Sequence, residues 1–362
     1  MRKRLCLTAI AILLLYRSDK AYTEGINEDI VKIANGNSVF AFDLYKKLIA
    51  DENNLEKNHG NLFISPYSIS TALTMTYAGA RGDTEKQMAD TLHFTLAQDN
   101  LHKAFGELEA ILKESGQKGD FDLQISNRLW PQKDYHFLDS YIHLIEDNYK
   151  SCLLSVDYTE DPEEARQTIN AAIEKDTKNK IKELIKKPHI TKLTRLVLTN
   201  AIYFKGDWVS QFDTAFTRKR DFYPGANLAI KANIMYQKST FLYGQTDSLQ
   251  IVELPYKGKE LCMVVLLPRN KIGLEELEKE LVGENLTLWR KQMRNMEIEI
   301  LLPKFKMTCE YELAKTLVKM GMLDAFEVDG GIADFSGMTG NKELFISQVL
   351  HKAYVDVNEE GS

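Results

Sequence analysis

The sequence predicts an α+β fold built as one unit, and three observations carry that prediction. Apolar residues at helical spacing dominate the first half of the chain. Alternating or wholly apolar runs of strand length dominate the second. No internal repeat, low-complexity tract or linker separates the halves. A length of 362 residues fits roughly two domains or one large one, and the missing linker favours one. With 44% hydrophobic and 27% charged residues, the chain has ample core material and no disorder bias. The net charge of −6 gives no global basic signal for nucleic acid.

The N-terminus reads as a targeting segment. Arg2, Lys3 and Arg4 precede a 12-residue apolar run from Leu5 to Tyr16, which is short for a membrane span. No clean small-x-small cleavage motif follows. The expectation is a signal peptide over residues 1–23 and a folded domain over 24–362, hence a secreted, extracellular protein, or a periplasmic one in a Gram-negative host. An uncleaved anchor or a misassigned start codon is the alternative. Of the four cysteines, Cys6 leaves with the signal, and Cys152, Cys262 and Cys309 are too scattered for a disulfide framework or a metal site.

The elements follow in order. Asn27 to Ala50 carries an imperfect helical stripe through Ile30, Ile33, Phe40, Leu44 and Leu48. In "FISPYSISTALTMTYAGARG", Ser65 caps a helix and Pro66 opens it, because the missing N–H is not needed in the first turn. Its small residues Ala72, Ala78 and Gly79 suit close packing inside the core. Asp83 or Thr84 caps the next helix. "PEEARQTINAAIEKDTKNKIKELI" reads as one helix, with Asp161 as cap and Ile169, Ile173, Ile181 and Leu184 on one face. The lysines from Lys175 to Lys192 read as its solvated end rather than a polyanion site, because acids are interleaved. "TRLVLTNAIYFKG", "LQIVELPY", "ELCMVVLLP" and "MEIEILLPKFKM" read as strands. "LCMVVLLP" is apolar on both faces, which predicts a covered strand with Cys262 as a small buried hydrophobe. "CEYELAKTLVKMG" reads as helix, and "FISQVLHKAYVDVN" as a long strand with Phe345, Val349, Ala353, Val355 and Val357 on one side.

Catalytic and cofactor motifs are absent: there is no GxSxG, HExxH, P-loop or GxGxxG. The seven histidines form no local constellation with a serine or cysteine. The expectation is therefore no enzyme, no cofactor and no metal. What stands out is polar residues in apolar segments: Ser65, Ser68, Asn200 and His351. Singly, each reads as a satisfied core group. Together they point to one buried hydrogen-bonded network where the structure must be able to open.

"NLFISPYSISTALTMTYAGARGDT", "ISNRLWPQKDYHFLDSY", "LTNAIYFKGDWVSQFDTAFT", "LPKFKM", "ADFSGM" and "ISQVLHKAYVDVNEEGS" occur in the order found in the serpins, and the chain resembles that family from about Ile30 to Ser362. The resemblance implies three β-sheets with eight or nine surrounding helices. It implies inhibition of a serine or cysteine protease rather than catalysis: a reactive loop is cleaved and inserts into sheet A, trapping the protease, a strand addition that releases stored strain. It assigns Ser65, Ser68, Asn200 and His351 to the shutter and Trp208 to the breach. Glu359, Glu360, Gly361 and Ser362 match the proximal hinge of the loop. The glycine permits a sharp change of direction there, and the small Ser362 is compatible with insertion. The family continues with the bait bond and strands of sheets B and C, so the expectation is a fragment without its reactive bond. A non-inhibitory carrier, chaperone or storage serpin, or a non-functional fragment, is the alternative. Asn285 heads the sequon Asn285-Leu286-Thr287. No strong heparin site, no nucleic-acid partner, no membrane after signal removal and a monomer complete the expectations.

Overall fold

The computed structural model describes residues 10–15, 27–117, 121–149, 153–225, 228–271, 273–326 and 333–362. Its centre is the helix that starts at Ser65. Helix α1 spans Glu28–Ile49 and begins on Asn27, whose side chain accepts a hydrogen bond from the Asp29 amide. The short α2 is Glu52–Lys57. Helix α3, Pro66–Tyr77, is buried from Ser68 onward, so every face needs a packing partner. Just past its end, a Cβ on Gly79 would lie 2.1 Å from Met338 Cγ, which is why no larger residue fits. Helices α4 (Gly82–Leu92), α5 (Gln98–Gln117) and α6 (Asp139–Tyr149) complete this helical layer. Helix α7, Pro162–Asp176, packs against strand β2. The remaining helices are α8 (Leu274–Glu280), α9 (Gly283–Lys291), α10 (Ala314–Met320) and α11 (Ser336–Thr339).

Two sheets carry the strands. The first has the order β2 (Phe121–Pro131), β3 (Leu196–Gly206), β10 (Gln348–Val357), β9 (Phe305–Glu312). β3 and β10 are parallel, and the outer pairs are antiparallel. The second has the order β1 (Ile10–Leu15), β7 (Leu261–Pro268), β6 (Leu249–Pro255), β5 (Leu228–Gln245), β4 (Arg218–Gly225), with β8 (Arg294–Pro303) also on β5. Three sheets were expected. The 18-residue β5 pairs with β4 and β8 along most of its length and with β6 at its end, which joins two of the three into one ladder. Eleven α-helices are found among the described residues, and α2 and α11, of six and four residues, make up the excess over nine. A cavity of about 1820 Å³ lies between the sheets, walled by Ile125, Ile202, Phe204, Met263 and Val265 and reached by Ser362.

Several sequence expectations need correction. The long helix stops at Asp176, and Lys178 and Asn179 take left-handed backbone angles. Ile181 and Leu184 are still buried with Ile169 and Ile173, but from a loop. Asn170 holds that loop by bonding both the amide and the carbonyl of Ile185, at 2.8 and 2.9 Å. The lysines that follow are not simply a solvated helix end: Lys178 pairs with Asp122, and Lys186 with Glu310. "CEYELAKTLVKMG" divides, with Cys309 to Glu312 in β9 and helix only from Ala314. α4 begins on Arg81 without a side-chain cap, while Thr84 accepts from the Asp334 amide. The last strand begins at Gln348, and before it the burial alternation is reversed, with Leu344 and Ile346 inward and Phe345 half-buried. At the N-terminus, Ile10–Leu15 pairs antiparallel with β7 as the outermost strand of its sheet. The remainder of 1–23, Cys152 and residues 327–332 lie outside the described residues.

Candidate functional site

The first sheet carries a polar rung at its middle. Strand register sets Asn127 opposite Asn200, Asn200 beside His351, and His351 opposite Tyr311. Paired residues point to the same face, so four neighbouring strands present four polar side chains in one row. The start of α3 lies beneath them. Ser68 Oγ donates to Asn127 Oδ1 at 2.9 Å. The Asn200 amide donates to Ser68 Oγ and to Asn127 Oδ1, both at 2.5 Å. His351 Nε2 accepts from the Ser65 amide at 3.1 Å, which leaves Nδ1–H to donate to Asn200 Oδ1. Tyr311 stacks on His351 and its hydroxyl accepts from the Phe63 amide at 3.1 Å. The imidazole is fully buried between two fixed partners, one of them a donor. Burial therefore holds its pKa down at about 3, against the hydrogen bond it donates to Asn200, and it is neutral.

All four residues expected in one network are thus in contact. Asn127 and Tyr311 were missed. Asn127 sits between Ser126 and Arg128 in a strand whose other residues are also partly polar, so nothing local marks it. Only the register with Asn200 does.

The upper end of the same sheet is arranged differently. The parallel ladder of β3 with β10 ends at Tyr203 and Tyr354. β9 keeps its pairing with β10 as far as Val357, and β2 keeps its pairing with β3 as far as Gly206. A gap therefore opens between β3 and β10. The chain leaves β10, turns at Asn358 to Gly361, where the Asn358 amide donates to the Gly361 carbonyl, and comes back against the end of β3. Gly206 and Ser362 exchange reciprocal backbone hydrogen bonds at 2.6 and 2.9 Å, and Asp207 bridges Gly361 in antiparallel sense.

The segment after β3 holds the carbonyls of Asn358, Glu359 and Glu360. Trp208 Nε1 donates to the Asn358 carbonyl at 3.0 Å and its amide to that of Glu360 at 2.8 Å; the Phe212 amide takes Glu359 at 3.0 Å. The buried Glu359 carboxylate accepts from Lys304 Nζ at 2.6 Å and from Thr217 Oγ1 at 2.8 Å. Burial opposes its charge, but Lys304 and Thr217 outweigh burial and hold its pKa below the usual value. Glu360 is exposed. The role of Gly361 differs from the expected change of direction: a Cβ there would lie 1.8 Å from the Gly206 carbonyl oxygen, so glycine is needed for close backbone approach.

Asn285 lies in α9 with its amide donating to the Glu280 carbonyl at 2.7 Å. On α5, Lys113 is paired with Glu109 at 2.6 Å. Among the described residues no cluster of His, Cys, Asp and Glu forms a metal site, and no helix is long and apolar enough to cross a membrane.

A four-stranded sheet closed at a polar rung, splayed above it, and met there by a Glu-Glu-Gly-Ser hinge is a specific geometry. The family model described as Serpin (serine protease inhibitor) matches residues 35–362. The chain belongs to the serpin family. It is 40% identical over 339 residues to leukocyte elastase inhibitor of Bos taurus, covering 91% of this chain and 87% of that one. It is 38% identical over 347 residues to serpin B3 of Homo sapiens, with the same coverage of both chains. The crystal structure of uncleaved ovalbumin superposes with a TM-score of 0.83 at 28% identity, covering 91% of each chain. These relatives correct the expected localisation. Leukocyte elastase inhibitor and serpin B3 are intracellular serpins and point to the cytoplasm rather than to export. The apolar run that prompted the export reading contributes strand β1 to this serpin.

Proposed function

We propose that this serpin, in its full-length form with the reactive loop, inhibits a serine or cysteine protease by suicide cleavage and insertion of the cut loop between β3 and β10. One observation carries the reading: β3 and β10 part above Tyr203 and Tyr354, and the hinge residue Ser362 already pairs with β3 in the gap. A strand running on from Ser362 antiparallel to β3 would meet the β3 edge that β10 now covers. The similarity to leukocyte elastase inhibitors makes an elastase-like serine protease the first target to try. In this reading Ser65, Ser68, Asn200 and His351 resist opening at mid-sheet, Trp208 anchors the hinge, and residues 24–362 act as one domain without catalytic chemistry of their own.

The test is to mix full-length gene product with such proteases. The expected result is a 1:1 complex that survives SDS and boiling. Cleavage of the loop with no such complex, for every serine and cysteine protease that cuts it, would overturn the proposal.

A further inference from the structure

The end of β3 abuts a stack of aromatic rings. Tyr256 is fully buried and lies parallel to Trp208, with centroids 4.7 Å apart and an interplanar angle of 16°. Phe204 meets its other edge at 5.0 Å. Its backbone is fixed as well: its amide donates to the Leu261 carbonyl at 3.0 Å, and Tyr256 bridges Trp208. A ring held this firmly aims its hydroxyl at one point, and that point is the Ser362 side chain, with which it forms a hydrogen bond. Ser362 is itself buried, although it lies beyond a turn in which Asn358 is half-buried and Glu360 exposed. Gly206 fits the same arrangement, because a Cβ there would strike the Tyr256 ring at 2.7 Å. Among the described residues no other side chain bonds the Ser362 hydroxyl.

We infer that Tyr256 is the latch of the hinge: positioned by stacking on Trp208, its hydroxyl keeps Ser362 paired to Gly206, so that insertion starts from a docked hinge rather than a free one. Tyr256 touches no protease and is a positioning residue. The inference rests on the inhibitory reading for its consequence, but the docking itself is measurable without any protease. Loss of the latch frees the hinge, delays the first step of insertion and leaves more time for the acyl-enzyme to hydrolyse.

Full-length protein is compared as wild type, Tyr256→Phe, Ser362→Ala and the double variant. Hydrogen exchange is followed at Gly206 and at residues 358–362. Each single variant is expected to speed exchange about five- to tenfold, which is the net worth of one buried hydrogen bond. The double variant is expected to exchange no faster than either single one, because both remove the same bond. Titration against a target protease is expected to need more inhibitor per protease for both single variants. Tyr256→Phe keeps the stack, so a ring that acts only in packing predicts unchanged exchange. That result, or additive effects in the double variant, overturns the latch. If no variant, wild type included, forms a stable complex while exchange behaves as expected, the inhibitory reading fails and the latch stands.

Discussion

At Asn200 the first sheet is closed from edge to edge; six residues further along the same strand, at Gly206, it is not. The two levels use polar groups in opposite ways. At mid-sheet, Asn127, Asn200, His351, Ser65 and Ser68 bond to one another, and Asn200, His351 and Ser68 are fully buried, so breaking a contact strands a buried partner. At the top, the contacts are made by a turn folding back from β10, and most are backbone bonds that a different segment of extended chain could also form. In the proposed mechanism, opening is resisted at the first level and begins at the second. A sheet that must admit a strand once needs a firm middle and a yielding end, so that its lifetime is set by a barrier rather than by equilibrium.

The largest expected effect comes from acid, and it acts on the firm level and the helices behind it. His351 is held at about 3, and burial holds His102 down at about 4, opposed by Asp99. Both are neutral when folded, while in the unfolded chain they take up a proton near pH 6.5. The unfolded state therefore binds more protons below that value. Stability is full above about pH 6.5 and falls toward pH 4, with a slope of up to about 2.7 kcal/mol per pH unit for two protons. Urea unfolding at a series of pH values reads this slope, and His351→Gln should halve it. A flat profile would mean that neither imidazole is as enclosed as it looks.

Asn200→Ala comes next. It removes the group that joins His351 to Ser68 and Asn127, leaving buried polar atoms unpaired, at a cost of about 3 kcal/mol. The native form should be shorter-lived in urea, and its hydrogen exchange should rise at the level of Asn200 and His351. Glu359→Lys attacks the other level. It sets a cation beside Lys304 in place of a buried carboxylate, for about 2 kcal/mol. Exchange should rise in 204–212 and 358–362 while 65–75 stays protected; a uniform rise would erase the distinction between the two levels. The smallest effect is at the sheet face. Glu310→Gln releases Lys186 of the loop after α7 and weakens the Lys57 and Lys352 pairs. Such partly exposed pairs contribute about 0.5 kcal/mol, and high salt should cancel the difference.

What could be read from the sequence depended on whether the signal was local. Ser65 and Pro66 announce a helix start by their own chemistry, and the structure has it there. Cys262 in "LCMVVLLP" and the covered strand around it follow from composition alone. Ser65, Ser68, Asn200 and His351 were legible as misplaced polar residues, and they do meet. Asn127, Tyr311, Thr217 and Lys304 were not, because each acquires its partner through cross-strand register or a long-range fold contact that no single stretch encodes. The helical reading of Ile181 and Leu184 failed for a related reason: periodicity reports burial, and a loop pinned by Asn170 buries the same side chains. The export reading failed because a short apolar run after three basic residues fits a signal peptide, and equally fits the β-strand that Ile10–Leu15 forms.

The central claim is that the sheet holds a place for one more strand between β3 and β10. Thermal unfolding of the full-length protein before and after cleavage of its reactive loop tests this most directly. If the place exists, the cut loop fills it and the cleaved protein melts at a markedly higher temperature. An unchanged or lower melting temperature after clean cleavage would contradict the account.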